Sequence, residues 1–204
     1  MMLRLLLSFL LLSLVILPAG AHHMTGGNLP QTAFDGFLSG LVHPIIGLDH
    51  FASVVALGIL GALQPRGIVI PIVFLLSAGL GTGLHLLQLE LPLLELGITI
   101  FLLLFSSSVI SKHQPHLYLL SVLAFVAGIC HGYAYGESIV GAETSPLVFY
   151  LLGFTTIQLV VSGTAFGLTR GLLKDQYRPI GFVLIGIGIT FLFEQIIENL
   201  LPNF

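Results

Sequence analysis

Between Gly67 and Leu87 the chain reads GIVIPIVFLLSAGLGTGLHLL, without one Asp, Glu, Lys or Arg. At a rise of about 1.5 Å per residue, a helix of this length crosses the roughly 30 Å hydrocarbon core of a bilayer. Outward from it lie Gln64-Pro65-Arg66 on one side and Gln88-Leu89-Glu90 on the other, polar breaks at which a crossing helix stops. The same alternation of apolar run and break predicts helices over 34–62, 67–87, 91–110, 117–137, 146–169 and 179–200.

Composition points the same way. The 204 residues are 56% hydrophobic and 7% charged, with a mean hydropathy of +1.08. A soluble domain usually carries about 25% charged residues, and so few cannot cover a water-facing surface. The expected fold class is therefore an all-α membrane protein with six transmembrane helices. These form one domain over 22–204, preceded by a signal peptide. A formal net charge of −3 and the absence of a basic tract argue against a nucleic-acid partner. A single cysteine, Cys130, excludes an internal disulfide framework and paired-thiolate zinc sites.

The first residues predict the orientation. Arg4 precedes an apolar stretch from Leu5 to Leu17, Pro18 breaks it, and Ala19-Gly20-Ala21 supplies a small-x-small cleavage pattern. Residues 1–21 read as a cleavable signal peptide, with an uncleaved anchor as the alternative. Cleavage leaves His22 as the mature N-terminus, facing outward. Six spans then place Arg66, Lys112, Arg170, Lys174 and Arg178 in cytoplasmic loops, with Arg4 starting on the same side, as the positive-inside rule requires.

Ionisable side chains inside a membrane are expensive, so each calls for a reason. The six-span arrangement gathers Asp35, His43, His85, Glu90, Glu95, His131, Glu137, Glu194 and Glu198 toward the outer ends of helices, with Asp49 and His50 nearer mid-depth. Imidazoles and carboxylates converging without Lys or Arg suit a cation, and such N/O sets take first-row divalent ions. The densest run is His43-Pro44-Ile45-Ile46-Gly47-Leu48-Asp49-His50. In a straight helix His43 and His50 share a face two turns apart, too far to hold one ion. Pro44 removes a backbone donor and Gly47 tolerates unusual dihedrals, so local unwinding can bring His43, Asp49 and His50 together. A second run, His131-Gly132-Tyr133-Ala134-Tyr135-Gly136-Glu137, sets His131 and Glu137 beside glycines that let its helix press on a neighbour. His22 and His23 can chelate a metal at the mature N-terminus or form part of a polar tail. Glycines at four-residue spacing (Gly79 and Gly83; Gly128, Gly132 and Gly136; Gly163, Gly167 and Gly171) read first as helix-packing faces.

Three of these stretches resemble the HupE/UreJ family: HPxxGxDH at 43–50, LPxxE at Leu91 to Glu95, and HGxAxGE at 131–137. The resemblance runs through the sixth predicted helix. It implies a permease of the cytoplasmic membrane, not an enzyme, with Ni2+ or Co2+ as transported substrate and no prosthetic group. Carried over by position, His43, Asp49, His50, His131 and Glu137 are the implied metal residues, with Glu95 a weaker one. Implied partners are the bilayer, the divalent ion, and a second copy or a metalloenzyme maturation machinery. The chain departs from the family pattern in two ways: Val54 stands where Met is common, and Gln158, Val160 and Val161 occupy a region where a His is common. A rival from another class is a membrane-embedded metal-dependent hydrolase, against which stands the lack of HExxH and GxSxG motifs. No GxxxxGK[ST] run is present, so the resemblance implies a secondary-type carrier or a separate energising partner.

Overall fold

The computed structural model describes residues 29–174 and 176–200; the predicted signal peptide, its cleavage site and His22 lie outside the described residues. Within them the chain is all helical: α1 (Ala33–Ile46), α2 (Leu48–Leu63), α3 (Val69–Leu86), α4 (Leu94–Ile110), α5 (Leu117–Glu137), α6 (Thr144–Gly171) and α7 (Arg178–Leu200). Helices α3, α5, α6 and α7 are each long and apolar enough to cross a membrane; α1 and α2 qualify only together; α4 is apolar but shorter, at 17 residues.

The single helix expected over 34–62 is divided. α1 stops at Ile46, α2 starts at Leu48, and the two are bent by 81°. Pro44 lies inside α1, where it offers no N–H and its ring crowds the carbonyl one turn back. Gly47 then turns extended, at φ −70° and ψ 95°, and its N–H bonds back to the His43 carbonyl. At its other end α1 is closed by a capping box: Asp35 N–H donates to Thr32 Oγ1, and Thr32 N–H donates to the Asp35 carboxylate. Asp35 thus has a local structural role. α4 begins at Leu94 rather than 91, because Gln88 and Leu93 adopt left-handed conformations that end one helix and delay the next.

Close backbone approach organises the helices in pairs. A side chain at Gly128 would meet Ser77 and the Phe74 carbonyl, one at Gly132 the Ala78 carbonyl, and one at Gly81 the Ile129 carbonyl, so α3 and α5 touch backbone to backbone. Thr82 Oγ1 donates across that seam to the Gly132 carbonyl at 2.7 Å. Along α6 the two halves of the broken helix follow in order. Gly36 abuts Pro146, Gly40 abuts Tyr150, and Gly58 abuts Ser162. α4 and α7 run antiparallel, with Gly181 against Val109 and Ile110, Gly188 against Leu102 and Leu103, and Gln195 Nε2 donating to Thr99 Oγ1 at 2.9 Å. Between these pairs Leu57, Leu60, Ile70, Phe74, Leu102, Phe105, Leu120 and Ala124 form the main apolar core.

One end of the bundle is tied by hydrogen bonds. Gln64 Nε2 donates to the Pro115 carbonyl, while Arg170 donates to the carbonyls of Ala62 and Gln64 and lies over the Phe166 ring. The links carrying Arg66 and Lys112 and the last turn of α6 carrying Arg170 therefore meet at one end; Lys174 lies in the link that follows, and Arg178 opens α7.

Candidate metal site

The break at Gly47 is what builds the site. It ends α1 just after His43 and starts α2 just before Asp49 and His50, so a C-terminal and an N-terminal helix end meet there. Asp49 lies in the first turn of α2, where the helix dipole favours a carboxylate. Gly47 itself is close-packed: a Cβ there would sit 3.3 Å from the His50 ring and 3.4 Å from Asp49 Oδ1. The glycine contacts that seat α5 against α3 bring His131 in from the other side.

Four aromatic rings gather at this junction. His50 and His131 have centroids 5.0 Å apart, His50 and Tyr135 5.0 Å, His43 and Tyr135 5.2 Å, and His43 and His50 6.3 Å. Tyr150 closes one side, 6.3 Å from His43, and Phe74 the other, 5.0 Å from His131. Tyr150 is fixed by donating to the Tyr135 carbonyl and by a hydrogen bond with Ser138. All of these are buried except His43, which is half-buried.

Two imidazoles are oriented in the same manner. His50 Nδ1 lies 2.9 Å from Asp49 Oδ1, and His131 Nδ1 lies 2.8 Å from the Ala127 carbonyl. Neither oxygen can donate, so in the neutral rings Nδ1 carries the proton and Nε2 presents a lone pair. A carboxylate or carbonyl behind Nδ1 is the usual backing of a metal-binding imidazole. His131 Nε2 has no hydrogen-bond partner although His131 is fully buried.

Further polar atoms nearby are likewise unpartnered. Among the described residues Tyr135 Oη, both amide atoms of Gln158 and Ser53 Oγ are buried without a hydrogen bond. Gln158 of α6 lies close enough to interact with the Tyr135 hydroxyl, yet their geometry falls short of a hydrogen bond. Ser53 lies one turn beyond Asp49 on α2. An orphaned buried donor or acceptor costs about 1–3 kcal/mol, so a cluster of them in one place asks for an occupant.

Of the candidates named from sequence, the structure brings His43, Asp49, His50 and His131 together. Glu137 is exposed at the last position of α5 and Glu95 is exposed in the first turn of α4; neither has a hydrogen bond, ion pair or ring contact with the four. Among the described residues no three His, Cys, Asp or Glu side chains close around a single point, so the gathered groups do not form a closed ligand set. Tyr135 and Ser53 were not singled out from sequence, and Gln158 was named only as lying in a region where the family commonly has a His. Neutral side chains in an apolar helix carry no charge to flag them, and only their missing partners do.

The profile of the family described as HupE / UreJ protein matches residues 10–191. The curated protein named Protein HupE, from Rhizobium leguminosarum bv. viciae, is 28% identical over 162 residues, covering 77% of this chain and 80% of that protein. No solved structure matches. The chain belongs to the HupE/UreJ family.

Proposed function

We propose that this protein carries a divalent transition metal, nickel or cobalt, across the cytoplasmic membrane through a site formed by His43, Asp49, His50 and His131. The family is associated with nickel and cobalt uptake, which supports a role in metal transport. The observation that carries the reading furthest is the pair of backed imidazoles. Asp49 behind His50 and the Ala127 carbonyl behind His131 leave two Nε2 lone pairs at a buried helix junction. Packing alone gives no reason to gather four such groups at one helix break. Discontinuous helices recur at the binding sites of secondary carriers, where freed backbone groups help replace an ion's water.

The arrangement in the membrane follows the same logic. α1 and α2 together act as one broken span, since they follow one another along the single long helix α6. With α4 as a short crossing, the chain has six spans. The shared end bearing Arg66, Lys112, Arg170, Lys174 and Arg178 faces the cytoplasm. His131 then lies in the outer half of the bundle, and Glu95 and Glu137 lie at its outer mouth, where exposed carboxylates attract cations before they enter. His22 at the mature N-terminus adds a collecting group on that side.

Flux into proteoliposomes tests this. The purified protein, reconstituted with a metal-quenched dye inside, is expected to admit Ni2+ or Co2+ down its gradient. Turnover of a lipid or peptide without vectorial movement of metal would overturn the reading in favour of an enzyme.

A further inference from the structure

The junction has two chemically different walls. One presents the imidazole nitrogens of His50 and His131, backed by a carboxylate and a carbonyl. The other presents oxygen and amide groups: Tyr135 Oη of α5 and the Gln158 side chain of α6, which is 1% exposed. Tyr135 stands between the walls, its ring 5.0 Å from His50 and its hydroxyl beside Gln158. Tyr135 Oη, Gln158 Oε1 and Gln158 Nε2 are all buried without partners. A Leu at 158 and a Phe at 135 would fill similar space in an apolar bundle without orphaned atoms. Phe154, one turn before Gln158 on α6, shows that an apolar side chain suits the neighbouring position, and it packs on the same Tyr135 ring at 5.3 Å.

We propose that Tyr135 and Gln158 hold part of the water shell of the transported ion, and so select ions that remain six-coordinate over those that prefer four protein ligands. The inference rests on the metal-transport reading above. An amide oxygen and a phenol oxygen accept hydrogen bonds from water bound to a cation, and both groups can also donate to the outer face of such a water. Ring centroids 5.0–6.3 Å apart set His43, His50 and Tyr135 beside one another. Among the described residues no three His, Cys, Asp or Glu side chains close on one point, so these side chains alone do not complete an ion's shell. Zn2+ favours tetrahedral sites closed by four protein ligands, whereas mixed nitrogen and oxygen sets that retain water suit more highly coordinated ions such as Ni2+ and Co2+. Gln158 and Tyr135 thus act as specificity-determining residues, while the imidazoles supply the affinity.

Co2+ absorption of the purified full-length protein reads the coordination number directly: six-coordinate Co2+ is weakly pink, four-coordinate Co2+ intensely blue. The wild type is expected to give the weak spectrum. Gln158→Leu and Tyr135→Phe are expected to shift it toward the intense one and to lower Ni2+ binding relative to Zn2+ by about tenfold, the lower end of what altering a metal's outer shell costs. Gln158→Glu, which keeps an oxygen acceptor, is expected to retain the weak spectrum. Binding of Ni2+ and Co2+ by the wild type but not by His50→Ala, together with unchanged colour and metal preference in both Gln158→Leu and Tyr135→Phe, would overturn the proposal and leave the transport reading standing. A uniform loss for all three metals in Gln158→Leu that Gln158→Glu fails to restore would mean a packing role and also overturn it. If the wild type binds none of these ions, the transport reading fails first.

Discussion

At the scale of single residues, the site separates groups that offer a lone pair from groups that aim one. Asp49 faces the His50 Nδ1–H, so its carboxylate orients and enriches the ring rather than standing free. Asp49→Asn keeps the shape but removes the charge, and either face of the amide can meet the ring. Metal affinity is expected to fall about 10–100-fold, as it does when an outer-shell partner is lost, with the folded state retained. Equilibrium dialysis against Ni2+ measures it; affinity within twofold of wild type would refute the orienting role. The sequence alone makes His43, Asp49, His50 and His131 conspicuous, because charged or titratable groups in an apolar helix are costly. It does not do so for Tyr135, Gln158 or Ser53, whose significance lies in having no partner in three dimensions. Asp35 shows the converse: conspicuous by charge, it serves a capping box.

Among helices, the same glycine spacing has two different outcomes. On α5, Gly128, Gly132 and Gly136 press against Phe74, Ser77, Ala78 and His85 of α3, whereas Gly79, Gly83, Gly163, Gly167 and Gly171 face open space within the chain. Spacing reveals that small residues share a face, not what that face meets. Gly132→Val must push the Ala78 carbonyl away, and overpacking of this kind costs about 1–3 kcal/mol. Gly167→Val meets nothing. Thermal melts in detergent are expected to show a lowered midpoint for the first and an unchanged one for the second; equal midpoints would contradict the seam between α3 and α5. The break in the first predicted helix was foreshadowed by Pro44 and Gly47, but its 81° angle was not, since it depends on how each half packs along α6.

For the molecule as a whole, polarity is written into the loops. Hydrogen bonds among Gln64, Pro115 and Arg170 gather the basic links at one end, as the positive-inside count anticipates. In a Cys130→Ser background, Glu143→Cys is expected to react with an impermeant maleimide on intact cells, and His113→Cys only after permeabilisation. The reverse pattern would invert the assigned orientation.

In the proposed transport, His50 and His131 hold the ion that crosses. Uptake of radioactive nickel and cobalt by metal-starved cells, comparing wild type with His50→Ala and His131→Ala at matched membrane expression, tests it most directly. Uptake by the wild type is expected to fall at least about tenfold in each variant, because each removes one of the two backed imidazoles. Uptake that persists in both variants, or no uptake of either ion by the wild type, would contradict it.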